Sequence, residues 1–111
     1  KDMANSFKVK TKTAVGVTPT TIYTGPASTE VTIIGLSVSN IVSSAIEVDV
    51  TLENNDGDNI YLVKGAPIPV GSTLIVVGAE QKVVMEASDI LKVTSDTASS
   101  ADVALSILEI S

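Results

Sequence analysis

The stretch Ser44-Ala45-Ile46-Glu47-Val48-Asp49-Val50-Thr51-Leu52-Glu53 decides the fold class. Ile46, Val48, Val50 and Leu52 alternate with Glu47, Asp49, Thr51 and Glu53 at a period of two, the repeat that places successive side chains on opposite faces of a β-strand. One face of this strand therefore meets a core and the other meets water. Immediately before it, Val31 to Asn40 is also read as a strand, with Thr32, Ile34, Leu36 and Val38 on one face and Val31, Ile33, Gly35, Ser37 and Ser39 on the other. Asn40 to Ser43 then reads as a turn, and the pair as an antiparallel hairpin.

Working outward, the same grammar recurs. Phe7 to Val15 forms an N-terminal strand; Thr20 to Thr24 is ended by Gly25-Pro26; Ile60 to Val63 is ended by Lys64-Gly65-Ala66-Pro67. Thr73 to Val77, Lys82 to Met85, Ile90 to Thr94 and Asp102 to Ile110 complete about nine short strands, the spacing of a sandwich or barrel. Over Glu80 to Lys92 the apolar positions Val83, Val84, Ala87, Ile90 and Leu91 also fit a helix. Strand, turn, strand is preferred there, because Ser88-Asp89 is a turn pair and three of those five residues are β-branched.

Composition agrees with an all-β chain. Val, Ile and Thr together number 39, against seven Leu and three aromatic residues. Stiff β-branched side chains favour a pleated surface. With 111 residues, 44% of them hydrophobic and 18% charged, the chain is expected to form one sandwich domain over its whole length, 1–111, burying roughly two-thirds of its unfolded surface. Met3 followed by Ala4-Asn5-Ser6 reads as a natural start, which leaves Lys1-Asp2 outside the argument as an expression remnant.

The missing residue types narrow the function. The chain has no cysteine and no histidine, which removes disulfides, thiolate nucleophiles, imidazole bases and the usual zinc ligands. A net charge of -6, with seven Lys and no Arg, argues against nucleic acid, whose phosphates need a clustered positive face. No run reaches the roughly 18 apolar residues of a membrane span, and no apolar signal-peptide core opens the chain, so a cytoplasmically made product with no membrane contact is expected.

Three polar groupings invite a chemical reading. Asn54-Asn55-Asp56-Gly57-Asp58-Asn59 resembles the start of a calcium loop, but position 65 is Gly where a bidentate Glu is required and the flanks are strands. Asp-Gly between two alternating runs is a hairpin signal, so a calcium-independent turn is expected. Glu47 with Asp49, and Glu86 with Asp89, are carboxylate pairs; acid or base work needs burial or a charge partner, whereas the first pair lies on the polar side of an amphipathic strand and reads as a solvated face. Tyr23 and Tyr61 are candidates for a sugar-stacking platform, although tyrosines in β proteins usually serve packing. The expected site inventory is therefore no catalytic residue, no cofactor and no metal.

The order of the punctuated strands carries a resemblance. Thr21-Ile22-Tyr23-Thr24-Gly25-Pro26 precedes the strand ending in Asn40; Pro67-Ile68-Pro69-Val70-Gly71-Ser72-Thr73-Leu74 follows; then come Met85-Glu86-Ala87-Ser88-Asp89 and the closing Ser106-Ile107-Leu108-Glu109-Ile110. The series resembles small bacteriophage virion proteins over most of the chain, departing at Ser88, where a glycine is common. The resemblance implies a jelly-roll-like antiparallel β-sandwich, present in many copies on the virion as capsid decoration, cement or head fibre, and in contact with other virion proteins such as the major capsid protein. A host-surface or glycan-binding module of a tail appendage is the alternative. A homo-oligomer, favoured as a trimer, is expected: Leu74-Ile75-Val76-Val77 is apolar on both sides of its strand, and the outer side needs covering.

Overall fold

The computed structural model describes residues 5–78 and 80–111; the reading of Met3 as a start lies outside them. Nine strands follow one another: β1 (Asn5–Val15), β2 (Thr20–Thr24), β3 (Glu30–Asn40), β4 (Ile46–Glu53), β5 (Asn59–Ile68), β6 (Thr73–Val77), β7 (Val83–Met85), β8 (Ile90–Ser95) and β9 (Ala101–Ile110). They form two antiparallel sheets. The first has the order β1-β9-β3-β6, with β7 also against β3; the second has the order β2-β8-β4-β5. This is the strand order of a jelly-roll sandwich, and every expected strand is present.

The faces meet as the alternation of β4 requires. Ile46, Val48, Val50 and Leu52 are buried in one cluster with Val103, Leu105 and Ile107 of β9, and Glu47 is exposed. Asp49 is half-buried because its carboxylate accepts the Gly65 N–H at 2.7 Å. Strand, turn, strand also holds over 83–95. Ser88 adopts the left-handed conformation (φ 72°) that a glycine would enter without strain, and Asp89 N–H closes the turn on Glu86 O at 3.1 Å.

Three expectations are corrected. β3 and β4 are not a hairpin: β3 pairs with β9, β6 and β7, whereas β4 pairs with β5 and β8. The 41–45 segment instead crosses between sheets, and Asn40 steers it. Its side-chain N–H groups bond Ser44 O (2.8 Å) and Ile68 O (3.0 Å), and its Oδ1 accepts Val42 N–H (2.9 Å). Second, β3 does not keep one face. Its register against β9 shifts between Ile33 and Gly35, so the buried residues are Val31 and Ile33 before the bulge and Leu36 and Val38 after it. An extra residue in one strand reverses the facing of everything beyond it. Third, β5 does not stop at Val63. It continues to Ile68 through Gly65, whose φ of 61° forms an irregularity where the pairing with β4 slips. Pro67 fits because β5 is an edge strand.

Candidate assembly surface

The pairing registers define the outer face of the first sheet. Across it, Phe7 of β1 stands beside Leu108 of β9, then Thr32 of β3, then Val84 of β7. Val9 and Ile110 flank this row on the same face. Phe7 is 73% exposed, Val9 63% and Val84 60%, so large apolar side chains stand in water at both edges of this end, with the half-buried Leu108 and Thr32 between them. Towards the other end the face turns to hydroxyls. Thr11, Thr13, Ser37 and Ser39 line a shallow hollow, with Ser39 and the neighbouring Thr73 sharing a 2.8 Å hydrogen bond and Thr13 donating to Asp102 at 3.0 Å. Ile75, 62% exposed, opposes Ser37 here, whereas Val77 two residues on is buried, so the apolar run of β6 leaves Ile75 in water.

The outer face of the second sheet has the opposite character. Glu47, Asp49 and Glu53 point outward from β4, and Lys92 of β8 bridges Glu53 at 2.8 Å. Tyr61, 52% exposed, lies beside them with the Lys64 ammonium 4.5 Å from its ring centre.

β1 is an edge strand, and its lysines manage that edge. Lys8, Lys10 and Lys12 pair with Ile107, Leu105 and Val103, so they share the inward-facing side of the sheet. Charges turned inward on an edge strand oppose unwanted edge pairing. Lys8 forms a 2.8 Å ion pair with the buried Glu109, which also accepts the hydrogen bond of the buried Tyr23 hydroxyl from the second sheet. Burial, the Glu109 hydrogen bond and the Glu109 charge together push the Tyr23 phenol well above its ordinary value. The Lys8 and Tyr23 hydrogen bonds hold the Glu109 carboxyl below its usual 4.5 against the opposing pull of burial. A depressed carboxyl pKa stabilises the fold above the unfolded value and loses that contribution as pH falls through the folded one. The melting-temperature gap between wild type and Glu109→Gln is therefore expected to be full at about pH 6 and to shrink below about pH 4. A gap that stays constant across the titration would show that the carboxylate contributes no such stability.

The residues singled out in the sequence do not converge. Tyr23 is buried with its hydroxyl on Glu109, while Tyr61 lies on the opposite outer face, so the two rings form no common platform. Glu86 is exposed, but Asp89 is 2% exposed and accepts hydrogen bonds from Asn55 N–H and Glu86 N–H, both at 2.9 Å. This clamp ties the 54–58 loop to the turn before β8. Asn55 adds a side-chain bond to Ala87 O at 2.8 Å. Nothing in the sequence pairs Asp89 with Asn55, because the two meet only through the β4–β8 register.

Asn54 to Asn59 is a hairpin loop, as expected. Asn54 N–H bonds Asp58 O at 2.8 Å, and Gly57 has a φ of 101°. The Asn54 and Asp56 side-chain oxygens accept backbone N–H groups of Asp56 and Asp58. Among the described residues no cluster of three or more His, Cys, Asp or Glu side chains could hold a metal. Melting curves in calcium and in chelator should coincide, since a ligand bound only by the native state must raise its stability. A calcium-dependent rise abolished by Asp56→Ala would contradict the hairpin-only reading.

No family model matches the chain, and no curated protein matches it. Among solved structures it is similar to a chain from the study "Bacillus endospore appendages form a novel family of disulfide-linked pili". The likeness covers 97% of this chain and 86% of that one, with a TM-score of 0.51 and 13% identity. It is a likeness of fold. These 111 residues hold no cysteine, so they supply no disulfide of the kind those words describe.

Proposed function

We propose that the chain is a non-catalytic structural subunit, present in many copies on the surface of a phage particle as a decoration, cement or head-fibre protein. The observation that carries a structural role is the outer face of the first sheet, where the exposed Phe7 and Val9 at one edge and the exposed Val84 at the other are joined across the half-buried Leu108 and Thr32. Contiguous exposed apolar side chains mark interaction surfaces, because leaving them in water costs free energy that a partner recovers. The likeness in fold to a chain of a bacterial appendage supports assembly as the use of such a sandwich. The order of motifs from Tyr23 to Glu109 supports the phage setting. Separation of Tyr23 from Tyr61 removes the paired rings on which a glycan-binding reading leaned. In this reading the protein binds other virion proteins and further copies of itself, and has no nucleic-acid or membrane partner.

The test is made on the parent particle. Mass spectrometry of purified virions should find the chain at a stoichiometry comparable with a capsid protein, and an electron-microscopy map should show bodies of about 50 × 27 × 23 Å at repeating surface positions. Absence from washed particles would overturn the reading. So would a measured turnover abolished by substitution of one carboxylate.

A further inference from the structure

On a chain of net charge -6, the outer face of the first sheet carries two carboxylates, Glu30 at its apolar end and Asp102 at its hydroxyl end. Three carboxylates and two lysines stand on the corresponding face of the second sheet. Covering the second face would take five charged groups out of water and covering the first only two, so the first is the face that a second copy can cover at the lower desolvation cost. Its size also fits. The five strands of the sheet, with β6 and β7 sharing one position, are spaced about 4.8 Å and rise about 3.3 Å per residue, which gives a flat area of about 630 Å². Each partner in a standard stable interface contributes about 800 Å².

We propose that this face binds the same face of a second copy, about a twofold axis running parallel to the strands between β9 and β3. The proposal deepens the structural reading above by naming one partner and its contact. Two face-to-face arrangements are compatible with a twofold axis in the interface plane. An axis across the strands lays the apolar end on the hydroxyl end and leaves both mismatched. An axis along the strands keeps each end over its own kind and reverses the strand order, so that Phe7 and Val84 meet at one end and the hydroxyl-rich ends meet at the other, where Ile75 falls over Thr11. Such an interface is isologous: whatever one residue touches, its counterpart touches in return. Phe7 of each copy then lies over Val84 of the other, joining two of the most exposed large apolar side chains of the molecule. Glu30 lies over Ile110 of the second copy, and Asp102 over Ser39 of the second copy. The four carboxylates therefore do not confront one another. The arrangement is a sheet-on-sheet packing of the kind already present inside each subunit.

Sedimentation equilibrium of the purified protein from about 1 µM to 1 mM tests the pairing. The wild type should sediment as a monomer–dimer equilibrium. Phe7→Glu and Val84→Glu should each raise the dimer Kd at least about 100-fold, because every substitution buries two uncompensated charges across the axis. Both sites are exposed in the subunit, so melting temperatures measured well below the wild-type dimer Kd should be retained. Tyr61→Glu, on the opposite outer face, should leave Kd unchanged. The double variant Phe7→Cys/Val84→Cys, in a chain otherwise without cysteine, should give a covalent dimer with a mild oxidant such as diamide, and neither single variant should. A monomer at all concentrations overturns the pairing, as does an oligomer of any size insensitive to both Glu substitutions, or cross-linking of a single variant. A stable trimer overturns the twofold contact too. Failure here is separable from failure of the virion reading: a monomeric protein found in repeating positions on the particle loses only the pairing, and a dimer absent from particles loses only the setting.

Discussion

Gly25→Ala is expected to cost about 3 kcal/mol or more in urea unfolding, because backbone fills the space a side chain would need. Gly25 is buried where the chain leaves β2, and a Cβ built there would lie 2.2 Å from Glu86 O and 3.1 Å from Glu86 C. Neither atom belongs to a flexible side chain that could swing aside. Both sides of the contact are also tied by hydrogen bonds, from Gly25 N–H to Asp89 O (2.8 Å) and from Ser88 N–H to Gly25 O (2.9 Å). Opening room for a methyl group therefore loosens the turn before β8, and with it the Asp89 clamp on the 54–58 loop. Gly57 and Gly71 provide the contrast: they have open space and positive φ of 101° and 74°, so alanine there should cost only about 1 kcal/mol of backbone strain. A loss below about 1 kcal/mol at Gly25 would mean that the close approach relaxes easily.

Leu105→Ala and Val50→Ala should each lose about 2 to 4 kcal/mol, with Leu105 at the upper end. Both side chains are fully buried. Leu105 lies on β9, flanked by β1 and β3 in the first sheet, and Val50 on β4, flanked by β5 and β8 in the second. Truncation therefore opens a cavity lined on several sides by rigid, β-branched neighbours that collapse poorly, so the lost transfer energy and the cavity both count. Val9→Ala, on the exposed face of β1, should stay within about 0.5 kcal/mol. Losses below about 0.5 kcal/mol at both core sites would show that β4 and β9 do not share a core.

The two sets of measurements probe different levels of the chain. Val50 tests what alternation alone foretells, since a strand reading Ile-Glu-Val-Asp-Val-Thr-Leu-Glu can bury only one set of side chains. Gly25 tests a contact between segments sixty residues apart that no local pattern encodes. The outer face of the first sheet stands between these levels. Leu108 and Val84 are visibly apolar in the sequence, but their standing in one row with Phe7 follows only from the registers of β9 against β1 and β3, and of β3 against β7.

By itself, the sequence determined the strand class, nearly every strand position, the 54–59 turn and the inward face of β4. Each of these rests on a short-range cause: β-branched composition, a period of two, and turn residues that accept unusual φ. The missing His and Cys likewise narrowed the chemistry without any coordinates. Only the tertiary structure decided which strands are neighbours. Alternation says that a strand has a buried face but not which strand lies beside it, so β3 and β4 read as a hairpin although they belong to different sheets. The bulge after Ile33 was equally hidden, because an added residue leaves composition unchanged while reversing every later side chain on β3. Register is set by contacts among distant segments, and the make-up of the outer face of the first sheet is a consequence of register.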